Sequence, residues 1–237
     1  MALILLLVPA SLFSQSWNPQ AGVGLTVDKG NSDRNLLVFD FGSRRRAGIQ
    51  DIRTTASFSN ETGRERKTIR KADLSSKMNL YYHPDLFFFG ALDVFHNNGA
   101  GVNYRIAPGV GAGAVLLRKE VLDTVVYNLT ANVGANPIIE NLAGRGAGTR
   151  GHYLFIQELE YNFDSRTHLN QRLDYKPSFR NTEHYLIDFT VALSHELNRR
   201  LSVTNRLKFK YDNMPVPGKK NTDMTLVFSI SYRWGDR

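Results

Sequence analysis

The stretch "LSVTNRLKFKYDN" (residues 201–213) sets Arg206, Lys208 and Lys210 on alternate positions, with Leu201, Val203, Leu207, Phe209 and Tyr211 on the opposite parity. Successive side chains of a β-strand point to opposite faces, so this ribbon is cationic on one side and apolar on the other. A Lys or Arg on a lipid face near the bilayer midplane costs about 2–4 kcal/mol, so three on one strand cannot face acyl chains. The stretch therefore predicts a strand between hydrocarbon and a wet or salt-bridged interior.

The same period of two runs from Trp17 onward, in about twelve segments of the length a tilted membrane strand needs. They begin near Gln20, Asn35, Ile49, Thr68, Leu86, Val102, Leu122, Gly151, Thr167, His184, Leu201 and Asp223. The clearest apolar rows are Tyr153, Phe155, Leu159, Tyr161 and Phe163, then Tyr185, Ile187, Phe189, Val191 and Leu193, then Met224 to Trp234 on even positions. A soluble sandwich or a soluble periplasmic β-barrel that binds a ligand would also alternate, with its polar face in water. Two features favour lipid. The connections alternate between tight ones ("YHPD", "DSR", "ELNRR") and looser ones ("SNETGRERK", "NMPVPGKKNTD"), as they do when every second turn lies on the same side of a membrane. The longest of the loose set is expected to be "ANPIIENLAGRGAGTRG" (residues 135–151). Aromatic residues also gather at the strand ends on the apolar face: Tyr153, Phe163, Tyr185, Tyr211, Tyr232 and Trp234. The fold class predicted is all-β: one antiparallel up-and-down transmembrane barrel of about twelve strands.

Negative mean hydropathy argues against a bundle of membrane helices and leaves a barrel open, because barrel strands alternate. The opening "MALILLLVPASLFSQS" (residues 1–16) has the apolar run of a signal peptide and is too short to cross a bilayer, which leaves residues 17–237 as the barrel domain. Export to the outer membrane of a Gram-negative-type bacterium follows. The chain has no cysteine, so thiolate metal sites and cysteine nucleophiles are excluded. Its net charge of +8 raises nucleic acid as a partner, yet the aromatics and cations of "RLKFKY" point to opposite faces and cannot hold one strand of it.

Several segments resemble a bacterial outer-membrane family of unknown function that is labelled salt-induced outer membrane protein. They are "GVGLTVDKGNSDRNLLVFDF", "RKADLSSKMNLYYHPDLFFFGALDVFHNN", "NYRIAPGVGAGAVLL" and "YDNMPVPGKKNTDMTLVFSISYRW". The resemblance implies an outer-membrane β-barrel of undefined substrate, with a link to salt or envelope stress carried only by the label. The last segment resembles the terminal signal read by the outer-membrane assembly machinery, which makes that machinery a partner during biogenesis.

The predicted inward positions include Arg105, Glu158, Glu160, Arg172, Lys176, Arg206, Lys208 and Lys210. Both signs are present, so they form either a salt-bridged plug or the lining of a narrow pore. In the pore case an anion arriving from outside meets a favourable potential first. Arg64, Arg66, Lys67, Arg145, Arg150, Arg180, Lys219 and Lys220 fall in or beside the expected outer loops. They are solvated loop charges or contacts to lipopolysaccharide phosphates. No cofactor or metal is expected, and the histidines read as turn or girdle residues. An outer-membrane hydrolase acting on lipids is the rival class. Its best pair, Ser194 and His195, are immediate neighbours and point to opposite faces of a strand, so a non-enzymatic barrel is preferred. The small residues of "PGVGAGA" (residues 108–114) are expected to permit a sharp bend or the packing of an inward loop.

Overall fold

The computed structural model describes residues 17–31, 34–62, 68–121 and 124–234. The expected signal peptide and the candidate loop cations Arg64, Arg66 and Lys67 lie outside them. The described chain forms twelve strands: β1 (Trp17–Lys29), β2 (Arg34–Ala47), β3 (Gln50–Thr62), β4 (Thr68–His83), β5 (Leu86–Asn97), β6 (Val102–Val121), β7 (Thr124–Leu142), β8 (Gly146–Asn162), β9 (Thr167–Pro177), β10 (Tyr185–Glu196), β11 (Leu201–Asp212) and β12 (Thr222–Arg233). Each pairs antiparallel with the next, and β12 pairs with β1 to close the barrel. Val23 thus sits between Phe39 of β2 and Ile230 of β12. Closure leaves no unpaired edge, which removes the aggregation hazard of the apolar last strand.

Parity decides the two faces. Leu25 is 62% exposed and its neighbour Thr26 3%; Phe228 is 48% exposed and Ser229 4%. The outside is thus a belt of exposed Val, Leu, Ile and Phe, a surface of the kind that faces hydrocarbon in transmembrane barrels. Aromatic pairs collect towards both ends of this belt. Tyr175, Tyr185 and Tyr211 stand side by side at one end, while Tyr161 with Phe163 and Tyr232 with Trp234 mark the end that carries both termini. An amphipathic ring is suited to headgroup depth.

The segment expected to form the longest loop is mostly strand. β7 continues to Leu142 and β8 begins at Gly146, so only residues 143–145 connect them. Its Asn, Gly and Pro mimic a loop, but Asn136, Ile138 and Glu140 are all buried on the inner face. Pro137 lies at the ladder position opposite Pro108 of β6, where regular pairing lapses between Ile106 with Ile139 and Val110 with Ala135. Proline has no N–H to give a ladder, so two facing prolines interrupt pairing without ending either strand.

The glycines of β6 make neither a bend nor a seat for a loop. Phe87 and Phe89 of β5 point inward and form a buried cluster with Leu154 and Ile156 of β8, reaching over the two strands between them. A Cβ at Gly111 would stand 2.7 Å from the Phe89 ring, and one at Gly113 2.5 Å from the Phe87 ring. Gly111→Leu is expected to lower stability by about 1–3 kcal/mol or more through overpacking. Urea unfolding of the refolded barrel in vesicles checks this, with Gly148→Ala, whose Cβ meets nothing within 4 Å, as the silent control.

Candidate functional site: the charged lumen

The eight predicted lumen charges all point into the barrel, and they meet partners there. Near the terminal end, Asp51 and Glu160 are shared by Arg44, Arg46 and Arg53; Arg44 reaches Asp51 at 2.7 Å and Glu160 at 3.1 Å. Glu160 belongs to β8 and Arg53 to β3, five strands apart around a ring of twelve. Their side chains therefore cross the lumen to touch. Next comes Lys77 of β4, buried, with its ammonium 2.5 Å from Glu158 of β8 and 2.9 Å from Asn132 Oδ1. The same ammonium lies 5.6 and 5.2 Å from the Phe87 and Phe89 ring centroids, within cation–π range. Arg172 lies between Glu158 at 3.8 Å and Asp174 at 2.7 Å.

Above this level Lys176 is held by Asp188 at 2.9 Å, Asp174 at 3.4 Å and, from β5, Asp93 at 3.8 Å. The three cations of β11 all reach across. Arg206 meets Asp40 of β2 at 3.2 Å, Lys208 donates to the Ser57 hydroxyl of β3 at 3.1 Å, and Lys210 meets Asp73 of β4 at 3.0 Å. At the mouth opposite the termini, Arg105 of β6 bonds Glu140 at 2.8 Å and lies 3.5 Å from Asp212 of β11, again five strands away. At every level, then, paired side chains from distant walls narrow the passage. Charges drawn out of water this way need partners.

Arg150, expected beside a loop, is part of β8 and turns into this mouth. Its guanidinium lies 3.3 Å from Glu140 and donates to His184 Nδ1 at 3.3 Å. His152 and His184 are also here, buried inside, with ring centroids 5.9 Å apart. His152, within β8, is neither a turn nor a girdle residue, whereas His184 lies in the connection between β9 and β10, its amide donating to the Asn181 carbonyl at 2.9 Å, as expected of a turn residue. Burial pushes the His184 imidazole below its ordinary pKa, against the pull of the Asp212 carboxylate 3.6 Å away. The parity of His152 in its strand was the signal that could have found it, since Leu154, Ile156 and Glu158 share its face.

The connection at 213–221 between β11 and β12 folds across the mouth. Lys219 donates to the Gly99 carbonyl at 2.6 Å, and Arg145 donates to the carbonyls of Met214 and Pro215 at 3.4 and 3.0 Å. Asn31 accepts from the Lys220 amide at 2.7 Å. Three other hairpins thus hold this strap, and two of the expected lipopolysaccharide-contact residues, Arg145 and Lys219, are among its ties. Arg180 and Lys220 are exposed.

The rival hydrolase chemistry finds little geometry. Ser194 shares a hydrogen bond of 2.9 Å with Thr204, and His195, on the other face, lies 3.0 Å from the Thr167 hydroxyl. His168, the cross-strand neighbour of Ser194, has Nδ1 on Asn162 at 2.8 Å and Nε2 3.6 Å from Glu196.

Two solved structures have a similar fold. The NanC porin, in a rhombohedral crystal form, superposes with a TM-score of 0.56 at 8% identity, over 90% of this chain and 100% of that one. The KdgM porin gives 0.50 at 10% identity, over 91% and 99%. At such identities the likeness is one of fold. Among curated proteins no match is found. Residues 21–234 match the family described as a protein of unknown function, DUF481, and the chain belongs to that family.

Proposed function

We propose that this protein is a non-enzymatic barrel of the bacterial outer membrane, of the structural or narrow channel type, whose lumen is held nearly shut by ion pairs that cross it. The termini would lie on the periplasmic side and the strap at 213–221 outside the cell. One observation carries the reading: Arg53 with Glu160, Lys210 with Asp73 and Arg105 with Asp212 each join strands five apart in a ring of twelve. A barrel of this strand number has room for a passage, and these pairs occupy it. The exposed belt and its aromatic ends support membrane insertion. Exposed Lys220 and Arg180 are the cations best placed to meet lipopolysaccharide phosphates, the assembly machinery would read the last strand, and expression under salt or envelope stress is the condition to examine.

Membrane fractionation with a heat-modifiable gel shift tests the location. Planar-bilayer recording tests the lumen: the native barrel is expected to give a unit conductance well below that of a wide porin. Truncating both crossing side chains in Arg53→Ala with Glu160→Ala should raise it several-fold. A wide, steady conductance from the native protein would end the reading.

A further inference from the structure

The outer wall of the barrel holds three carboxamides at one depth. Gln157 of β8, Gln171 of β9 and Asn205 of β11 have outward parity, since their neighbours Ile156, Arg172 and Thr204 face the lumen. Each stands four or five residues from the end of its strand nearest the chain termini. On a tilted strand that is roughly 10 Å into the apolar belt, past the Tyr161 and Tyr232 rings. Gln157 and Gln171 satisfy each other: each Nε2 donates to the other's Oε1, at 2.9 and 3.0 Å. Asn205 is exposed, with Leu193 of β10 and Phe228 of β12 beside it in the ladder. Its amide has no partner among the described residues. In hydrocarbon such a group is costly, because neither acyl chains nor water can bond it. The missing partner has to come from outside the chain.

Position identifies that partner. β10 runs between β9 and β11; Val191 is the ladder partner of Gln171 on one side, and Leu193 that of Asn205 on the other. Two strand spacings, about 10 Å, separate β9 from β11, a width over which two convex walls can meet. A two-fold axis along the membrane normal and through the β10 face keeps every residue at its depth and exchanges left with right. It therefore brings Asn205 of one copy to Gln171 of the other, and does so twice. Gln171 uses one N–H and one lone pair on Gln157 and keeps one of each, which is what a second carboxamide needs. The rest of such a contact, Val191, Leu193 and Leu207, is as apolar as the acyl chains it displaces, so the amide bonds decide the pairing. We propose that the protein forms a two-fold dimer within the membrane through its β9–β11 face, with Asn205 of each copy bonded to Gln171 of the other.

The inference rests on membrane insertion and not on the state of the lumen. Flotation of the vesicles and the heat-modifiable shift report insertion by themselves, so a failed dimer and a failed membrane reading are separate results. The test is energy transfer between donor-labelled and acceptor-labelled copies of the refolded full-length barrel in phosphatidylcholine vesicles. The chain has no cysteine, so one introduced thiol places each dye. Arg199→Cys, exposed in the turn between β10 and β11 and close to the axis, is expected to give strong transfer. Asp85→Cys, exposed in the turn after β4, six strands round the ring from β10, is expected to give weak transfer. Dilution with lipid yields the association constant from the Arg199→Cys pair. Asn205→Leu should lower it about tenfold or more, because two amide bonds are lost, and Asn205→Gln should retain most of it. The heat-modifiable shift verifies folding, and Asn205→Ala serves if Asn205→Leu does not fold. Transfer from Arg199→Cys no greater than random mixing at the same density, equal transfer from Asp85→Cys, or an association constant unchanged by Asn205→Leu would each overturn the proposal.

Discussion

Glu158→Leu is expected to destabilise the barrel by about 3–5 kcal/mol, because it strands a buried ammonium. Lys77 is 5% exposed and packed against Phe87 and Phe89. With Glu158 gone, Asn132 and two ring faces are what remain around it, and neither carries a full negative charge. The second half of the experiment separates charge from shape: Lys77→Met combined with Glu158→Leu should recover most of the loss, since an apolar pair of similar volume avoids desolvating two ions. Urea midpoints of the barrel in lipid vesicles read both. If the double variant is no more stable than Glu158→Leu alone, the pair is not what matters at this level, and the Arg172 bridge to Glu158 becomes the candidate.

Leu207→Arg is the second large effect. Leu207 lies mid-strand in β11, between Leu226 and Val191 on the outer face. A guanidinium there enters hydrocarbon near the midplane at a cost of about 2–4 kcal/mol. Lys208→Met, one residue on, faces inward and removes a cation that has no carboxylate within 4.0 Å and donates to the Ser57 hydroxyl, so its stability should match or exceed that of the native protein. Adjacent residues would then respond in opposite directions to opposite changes of charge. Equal loss from both in vesicle unfolding would mean that the two faces of β11 do not differ in solvent.

Much of this architecture was legible without coordinates, for a simple reason. Period two, together with the cost of charge in lipid, tells each side chain of β8 to β12 which way to point. Strand starts at Thr68, Leu86, Val102, Thr167 and Leu201 follow from turn residues that break that period. Where both faces lose their contrast the reading weakened. In "LFFFG" (residues 86–90) three successive Phe leave no alternation, so the inward turn of Phe87 and Phe89 is invisible until the glycines of β6 are seen beneath them. In residues 135–151 small and turn-forming residues look like a loop, although ladder pairing with β8 carries them as strand.

Which charges meet is a different kind of fact. Arg53 and Glu160 stand more than one hundred residues apart in the chain, as do Lys210 and Asp73. No local pattern links them, because an inward parity says only that a side chain enters the lumen. The closing of β12 onto β1 decides what it finds there, by setting which walls face each other and at what height. The two solvents of this barrel were written in its alternating residues. The pairs that cross its lumen exist only once the ring is closed.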